Sequence, residues 1–324
     1  MTSEQVLSLT QSFLPDINQE SLNLVVIEKG GSGRLFYRVT DADSGRSWVA
    51  MAYTRDRPDN ARFASITDFL LNHGVAVPEI LARKEEIGYL LVQDLGSIDL
   101  GNYAGADWET VQKPSYLQAL KTVFALHQIT EDSQPADLPE LEFCFDADLY
   151  QWEQDYFFNH YVTKFEPKGT DSFRSDPVFS GIRDHLSDLP RSLVHRDFQS
   201  TNVMFKNGSC YLIDYQGMRF GLPEYDVASL IYDPYVNLSE EQRDELINYY
   251  FRLKQDAGHP ETFEEYIKRL NTCAIQRLMQ ALGAYGFLGN EKGKKEFFRF
   301  IEPAKDRLRH VAASECEVIN RILM

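Results

Sequence analysis

A chain of 324 residues with 43% hydrophobic and 25% charged residues has an ordinary globular composition and enough length for one large domain or two lobes. Its formal charge of −16 argues against nucleic-acid binding, because little positive surface is left to displace counterions. The first residues lack the basic and apolar regions of a secretory signal, no apolar run approaches the roughly 20 residues that span a bilayer, and Cys144, Cys210, Cys273 and Cys316 show neither a CxxC pair nor metal-ligand spacing; a soluble cytoplasmic protein without a membrane partner is expected.

Taken in chain order, residues 3–13 read as a short helix stopped by Pro15. Strand-like stretches follow at 22–28, 35–40 and 48–53, the last two joined by the turn-rich segment 41–45. Residues 60–72 carry helical periodicity through Phe63, Ile66, Leu70 and Leu71, closed by Gly74, and a strand pair fits 79–82 and 89–92. Beyond Gln93-Asp94-Leu95-Gly96 helices dominate, at 116–128, 146–162, 240–256, 263–288 and 304–323, around a strand-rich island at 192–215. Segments 130–142 and 166–177 read as loops. The organisation is therefore a small strand-rich lobe, 1–95, before a larger and mainly helical one, 96–324.

The island holds the chemistry. His195-Arg196-Asp197-Phe198-Gln199-Ser200-Thr201-Asn202 is followed by the apolar run 203–205, a Gly turn, and Tyr211-Leu-Ile-Asp214. Phosphoryl transfer needs a carboxylate to orient and receive the proton of the attacking hydroxyl, and oxygen ligands to hold magnesium against phosphates. Asp197 suits the first task; Asn202 and Asp214 suit the second, since a hairpin from Asn202 returns the chain to it. Each residue alone could be a turn former, but the joint pattern is rare. Upstream, Lys29-Gly30-Gly31-Ser32-Gly33-Arg34 between two strand candidates would let backbone N–H groups approach phosphates, although it lacks the third glycine of GxGxxG and no GK[ST] follows.

These motifs resemble the catalytic and metal-binding loops of the aminoglycoside phosphotransferase-like (APH/choline-kinase-like) superfamily. The resemblance implies an α+β, protein-kinase-like bilobal fold and an ATP- and Mg2+-dependent kinase of a small molecule. Asp197 then matches the catalytic aspartate, Asn202 and Asp214 the metal ligands, and Asp226 an aspartate that supports the catalytic loop. His195 and Arg196 brace that loop. Gly30, Gly31, Ser32, Gly33 and Arg34 face the phosphates, with Arg38 a further candidate, and Gln93, Asp94 and Leu95 form the hinge for the base. Within the superfamily, Gly30–Arg38, Val49-Ala-Met51, the segment 74–80 and the late helix around Arg277 are similar to a branch of bacterial N-acetylmuramate/N-acetylglucosamine anomeric kinases. By that likeness Glu153 is expected to contact a sugar; Arg277 is a candidate for a sugar or lactyl-carboxylate contact or, equally, for an intramolecular salt bridge.

Two groups usual in this fold are missing. Met51 stands where a strand lysine grips the phosphates, and residues 60–72 hold no glutamate to pair with it. Either Arg34, Arg55 or Arg57 replaces the lysine, or the protein is a nucleotide-binding pseudokinase. Too few residues separate Asp214 from Asp226 for a long activation segment, and Gln199 replaces the loop lysine of protein kinases, so a protein substrate is disfavoured. An aminoglycoside or amino-alcohol kinase is the alternative enzyme, and the overall negative charge would suit its cationic acceptor better than the anionic N-acetylmuramate.

Overall fold

The computed structural model describes residues 1–27, 33–54, 57–166, 173–313 and 316–323. They fall into two units, the first made of Met1–Ile98, Ala136–Leu141 and Met204–Gln216, the second of Asp99–Pro135, Glu142–Val203 and Gly217–Met324. Among the described residues no helix is long and apolar enough to cross a membrane.

In the first unit β1 (Leu22–Ile27), β2 (Arg34–Asp41), β3 (Ser47–Tyr53), β4 (Ile80–Lys84) and β5 (Tyr89–Gln93) form an antiparallel sheet in the order β1-β2-β3-β5-β4. Strand alternation turns Tyr37, Val39, Trp48, Ala50, Tyr89 and Leu91 to one face, where they bury with Val6 of helix Ser3–Phe13. Burying a large apolar side chain in this way contributes about 1.5–3 kcal/mol. Thr10 also shares a 2.8 Å hydrogen bond with the Tyr89 hydroxyl, so the helix is tied to the sheet by a polar contact as well. The opposite face carries Arg34, Phe36 and Arg38 of β2 directly across from Tyr53, Met51 and Val49 of β3.

Helix Phe63–Asn72 buries Phe63, Ile66, Thr67 and Leu70, one stripe at helical spacing, and ends before Gly74 in the left-handed region (φ +75°). The hairpin of Val203–Lys206 and Ser209–Leu212 turns through Asn207 (φ +52°) and Gly208 (φ +77°), the Asn-Gly pair that a tight two-residue hairpin favours. From its far strand Leu212 N–H donates to the Ala76 carbonyl at 2.9 Å, which ties the hairpin to the segment after the helix.

In the second unit helix Phe263–Asn290 is the axis. Every residue from Cys273 to Met279 is buried, the signature of a helix packed on all sides. A capping box of Thr262 and Glu265 starts it. Helices Ala147–Phe157, Pro223–Ile231 and Ile301–Ala312 pack on it. At Gly286 a Cβ would lie 2.0 Å from the His160 carbonyl oxygen, so only glycine lets the two backbones approach this closely.

The expected elements are found with three departures. Residues 158–162 continue the helix from 147 as a wider π turn. Helix Pro177–Ser187, begun by an Asp176 cap on the Val178 N–H and by proline in its first turn, follows the expected 166–177 loop. The single helix expected over 304–323 is instead two, Ile301–Ala312 and Glu317–Ile322.

Candidate active site

The candidate catalytic loop, 195–202, leaves strand Ser192–Val194, which pairs antiparallel with Arg219–Gly221. Its first residues are held by one carboxylate. Asp226, fully buried in helix Pro223–Ile231, accepts the backbone N–H of His195 at 2.6 Å and that of Arg196 at 2.8 Å. His127 Nε2 lies 3.1 Å from the same carboxylate, and its Nδ1 shares a 2.5 Å hydrogen bond with the Tyr250 hydroxyl. Anchored in this way, Arg196 adopts a left-handed backbone (φ +76°), an uncommon conformation for a residue with a side chain.

The Arg196 guanidinium donates to Asp197 Oδ2 at 2.9 Å. Burial alone would raise the Asp197 carboxyl, but Arg196, Arg277, His195 and Arg219 together hold it below the usual carboxylate range. Asp197 is therefore ionised at neutral pH and able to accept a hydrogen bond from a hydroxyl. Asn202 Nδ2 donates to the Asp197 carbonyl at 2.9 Å, which fixes the amide and defines which end carries its oxygen. Between them, Ser200 N–H donates to Asp233 Oδ2 at 2.8 Å.

In the first unit Asp214 follows the hairpin and also takes a left-handed backbone (φ +64°). Its side chain is 49% exposed; Oδ1 accepts from Gln216 Nε2 at 2.8 Å and lies 3.5 Å from Arg34 Nη2. The next residue, Tyr215, is buried, stacks on Phe63 with ring centroids 5.3 Å apart, and shares a 2.8 Å hydrogen bond with Thr67. Helix Phe63–Asn72 thus uses an aromatic ring and a hydroxyl to hold the segment beside Asp214.

Arg38 has a different setting from the phosphate contact that the sequence suggested. Its Nε and Nη2 reach the two carboxylate oxygens of Asp94 at 2.8 and 3.1 Å, and Nη2 also donates to the Gly96 carbonyl. It is a brace for the 93–96 segment. Burial opposes ionisation of Asp94, yet the Arg38 fork and the Gly96 N–H bring its carboxyl below the ordinary value. Gln93 N–H donates to the Glu79 carbonyl, the Asp94 carbonyl accepts from Lys206 Nζ, and Leu95 is buried. Gly33 has φ +73°; Gly30, Gly31 and Ser32 lie outside the described residues, as does Arg55.

Glu153 departs from the expected sugar contact. It has no exposed surface, and its oxygens accept from the Tyr225 hydroxyl at 2.8 Å and from Gln276 Nε2 at 3.0 Å. Burial pushes its carboxyl up despite those bonds. A carboxylate enclosed on both oxygens has no face left for a ligand, so here it joins three helices. Arg277 is also buried; it donates to Ser229 Oγ at 2.9 Å and to Gln280 Oε1 at 2.6 Å, and its Nη2 lies 3.4 Å from Gln199 Oε1 in the catalytic loop.

A family profile described as "Phosphotransferase enzyme family" (APH) matches residues 23–266. The chain belongs to that family. Two relatives are named N-acetylmuramate/N-acetylglucosamine kinase. That of Pseudomonas aeruginosa is 25% identical over 304 residues, covering 89% of this chain and 86% of its own length. That of Neisseria meningitidis is 26% identical over 292 residues, covering 88% and 84%. Among solved structures, a choline kinase from Cryptosporidium parvum aligns over 100% of this chain and 98% of its own at TM-score 0.64 and 15% identity. An ADP-bound aminoglycoside phosphotransferase aligns over 95% and 99% at TM-score 0.57 and 15% identity. Those two likenesses establish the kinase-like fold. Family membership makes the protein a kinase of a small molecule that takes its phosphate from ATP.

Two supports of this phosphotransferase's loop are absent from the sequence reading. Asp233 accepts the Ser200 and Tyr235 N–H groups, and burial raises its carboxyl. His127 backs Asp226. Asp233 precedes Pro234 in a turn-like stretch, and His127 ends an amphipathic helix; neither carries a local signal that separates a brace from an ordinary cap.

Proposed function

We propose that this kinase phosphorylates a hydroxyl of an amino sugar, N-acetylmuramate or N-acetylglucosamine, at the anomeric position, with magnesium. The observation that carries the reading is the likeness, over more than four-fifths of this chain, to kinases named for those sugars. The catalytic loop supports it. Although the whole chain carries a net charge of −16, three arginines, Arg196, Arg219 and Arg277, act on the Asp197 carboxyl. Such cations beside the loop would favour a transferring phosphate.

Asp197 orients the sugar hydroxyl and receives its proton as the new O–P bond forms and the bond to ADP breaks. Its depressed pKa makes it a weak base, which suits a loose transition state whose proton leaves late and whose catalysis is mostly positioning. Asn202 and Asp214 are the proposed magnesium ligands. An amide oxygen and a half-exposed carboxylate fit that ion, which takes one or two such protein groups and completes its shell with water and phosphate oxygens. When bound, magnesium would neutralise the charge on the phosphates. Gly30, Gly31, Ser32, Gly33 and Arg34 are assigned to the phosphates, and Gln93, Asp94 and Leu95 to the base. His195, Arg196 and Asp226 support the loop, and Arg277 serves the acceptor side through Gln199, while Glu153 holds three helices together. Use of ATP favours the cytoplasm.

A coupled ATPase assay tests the proposal with N-acetylmuramate, N-acetylglucosamine, other hexoses, kanamycin, choline and no acceptor. Turnover with an amino sugar that disappears in Asp197→Ala is expected. Turnover with kanamycin or choline alone would transfer the assignment to those acceptors, and near-wild-type turnover of Asp197→Ala would remove that residue from the chemistry.

A further inference from the structure

Position 51 lacks the lysine that grips phosphates in this fold, and Met51 is fully buried. Helix Phe63–Asn72 offers no glutamate and meets the Asp214 segment through Phe63 and Thr67. We infer that Arg34 supplies the missing cation, and that its ion-pair partner is Asp214 rather than a helix glutamate. The inference rests on the proposed metal role of Asp214.

Register places Arg34 where a substitute has to be. Phe36 of β2 lies opposite Met51 of β3, and Arg34 lies opposite Tyr53. Cross-strand partners share a sheet face, and residues two apart on a strand share it too. Arg34 is thus the diagonal neighbour of Met51 on the face where a lysine at 51 would project. Its residue is only 6% exposed, and its Nη2 is 3.5 Å from Asp214 Oδ1. A guanidinium this enclosed is retained only beside an opposing charge.

Arg55 lies outside the described residues, and two other arginines are placed differently. Arg38 is committed to Asp94 through both of its carboxylate oxygens, and Arg57 is exposed. Arg34 also differs from a lysine in having a planar fork of donors, which matches the geometry of a carboxylate or of a phosphate.

The pairing has a consequence for binding order. With no nucleotide present, Arg34 lies 3.5 Å from Asp214 Oδ1 as an ion pair. A magnesium–nucleotide complex offers each a stronger partner, the cation for Asp214 and the phosphates for Arg34. Nucleotide without magnesium offers only one, and Asp214 is then left without a counter-charge. Affinity for the nucleotide therefore depends on magnesium through Arg34.

The test is equilibrium binding of ATP by calorimetry, with and without magnesium and with no acceptor, beside turnover and thermal unfolding. Arg34→Met should weaken magnesium–ATP binding by about tenfold or more, one charge-assisted contact or greater, and flatten its magnesium dependence. Arg34→Lys should stay within a few-fold of wild type. Adding Met51→Lys to Arg34→Met should recover most of the lost affinity, because the new ammonium projects from the same face. Arg34→Gln, which keeps hydrogen bonding to Asp214 without the charge, decides the matter should Arg34→Met not fold. Wild-type affinity in folded Arg34→Met or Arg34→Gln overturns the inference while leaving the kinase reading intact. Unchanged magnesium-dependent binding in Asp214→Ala overturns the metal role on which the inference rests.

Discussion

Replacing Asp226 by alanine probes how the catalytic loop is held. The carboxylate is fully buried, accepts the N–H groups of His195 and Arg196 at 2.6 and 2.8 Å, and faces His127 Nε2 at 3.1 Å. Leaving one buried donor without its acceptor costs about 1–3 kcal/mol. With two backbone donors and the imidazole affected together, a loss of about 3–5 kcal/mol in unfolding free energy is expected, the range for stripping a partner from a buried charged network. Function should fall further than stability alone predicts. Arg196 is held at φ +76°, and backbone strain of this kind persists only while surrounding contacts enforce it. Once released, the backbone can relax and carry the adjacent Asp197 with it, and a displacement of about 1 Å at a reacting group can cost about 100-fold in rate. Urea unfolding gives the first quantity, and turnover at saturating substrate, measured well below the unfolding transition, gives the second. Asp226→Asn, which keeps one acceptor oxygen, should fall between the variant and wild type in both. An unchanged urea midpoint in Asp226→Ala refutes the energetic argument; a lowered midpoint with wild-type turnover refutes the claim that these bonds position Asp197.

Gly286→Ala should lose about 1–3 kcal/mol by urea unfolding, because its Cβ would stand 2.0 Å from the His160 carbonyl and force the two segments apart; a neutral effect would mean that the contact yields freely. Glu224 is buried, which alone would raise its carboxyl, but Lys254 and Arg269 bring it down from an ordinary 4.5 to about 2. Its contribution to stability is therefore complete above about pH 4.5 and lost as the pH falls from there through about 2, so Lys254→Met should reduce stability at neutral pH more than at pH 3 in parallel unfolding curves. Tyr225→Phe removes the hydroxyl from Glu153 and should cost about 1–3 kcal/mol, with a near-zero change arguing that Gln276 alone satisfies the carboxylate.

Much of the fold was legible because its signals are local. Strand alternation located the five strands, though not their order in the sheet, since the face buried under helix Ser3–Phe13 leaves a period-two record in β2 and β3. The hairpin after the candidate catalytic stretch was legible for a different reason: a glycine turn between two apolar runs marks a tight hairpin. Helix Pro177–Ser187 was missed although Asp176 and Pro177 form an ordinary helix start, because the polar run before them dominated the reading.

Glu153 is the more instructive case. Likeness to the anomeric kinases suggested that it contacts a sugar. The spacing already said otherwise: Tyr150, Glu153, Gln154 and Phe157 recur at helical intervals as the buried stripe of helix Ala147–Phe157, while Trp152 remains 49% exposed. A carboxylate on that stripe needs donors from elsewhere in the chain, and Tyr225 and Gln276 provide them from segments far away in sequence. The same holds for Arg34. Its place at the end of a glycine-rich segment suggested phosphate, but it is the register of β2 on β3, which pairs Arg34 with Tyr53, that sets it diagonally from Met51, and Asp214, in a left-handed turn, places a carboxylate oxygen 3.5 Å from it. Residue types set out the chemical parts of this site, and long-range pairing decides which of them touch a ligand and which hold the others in place.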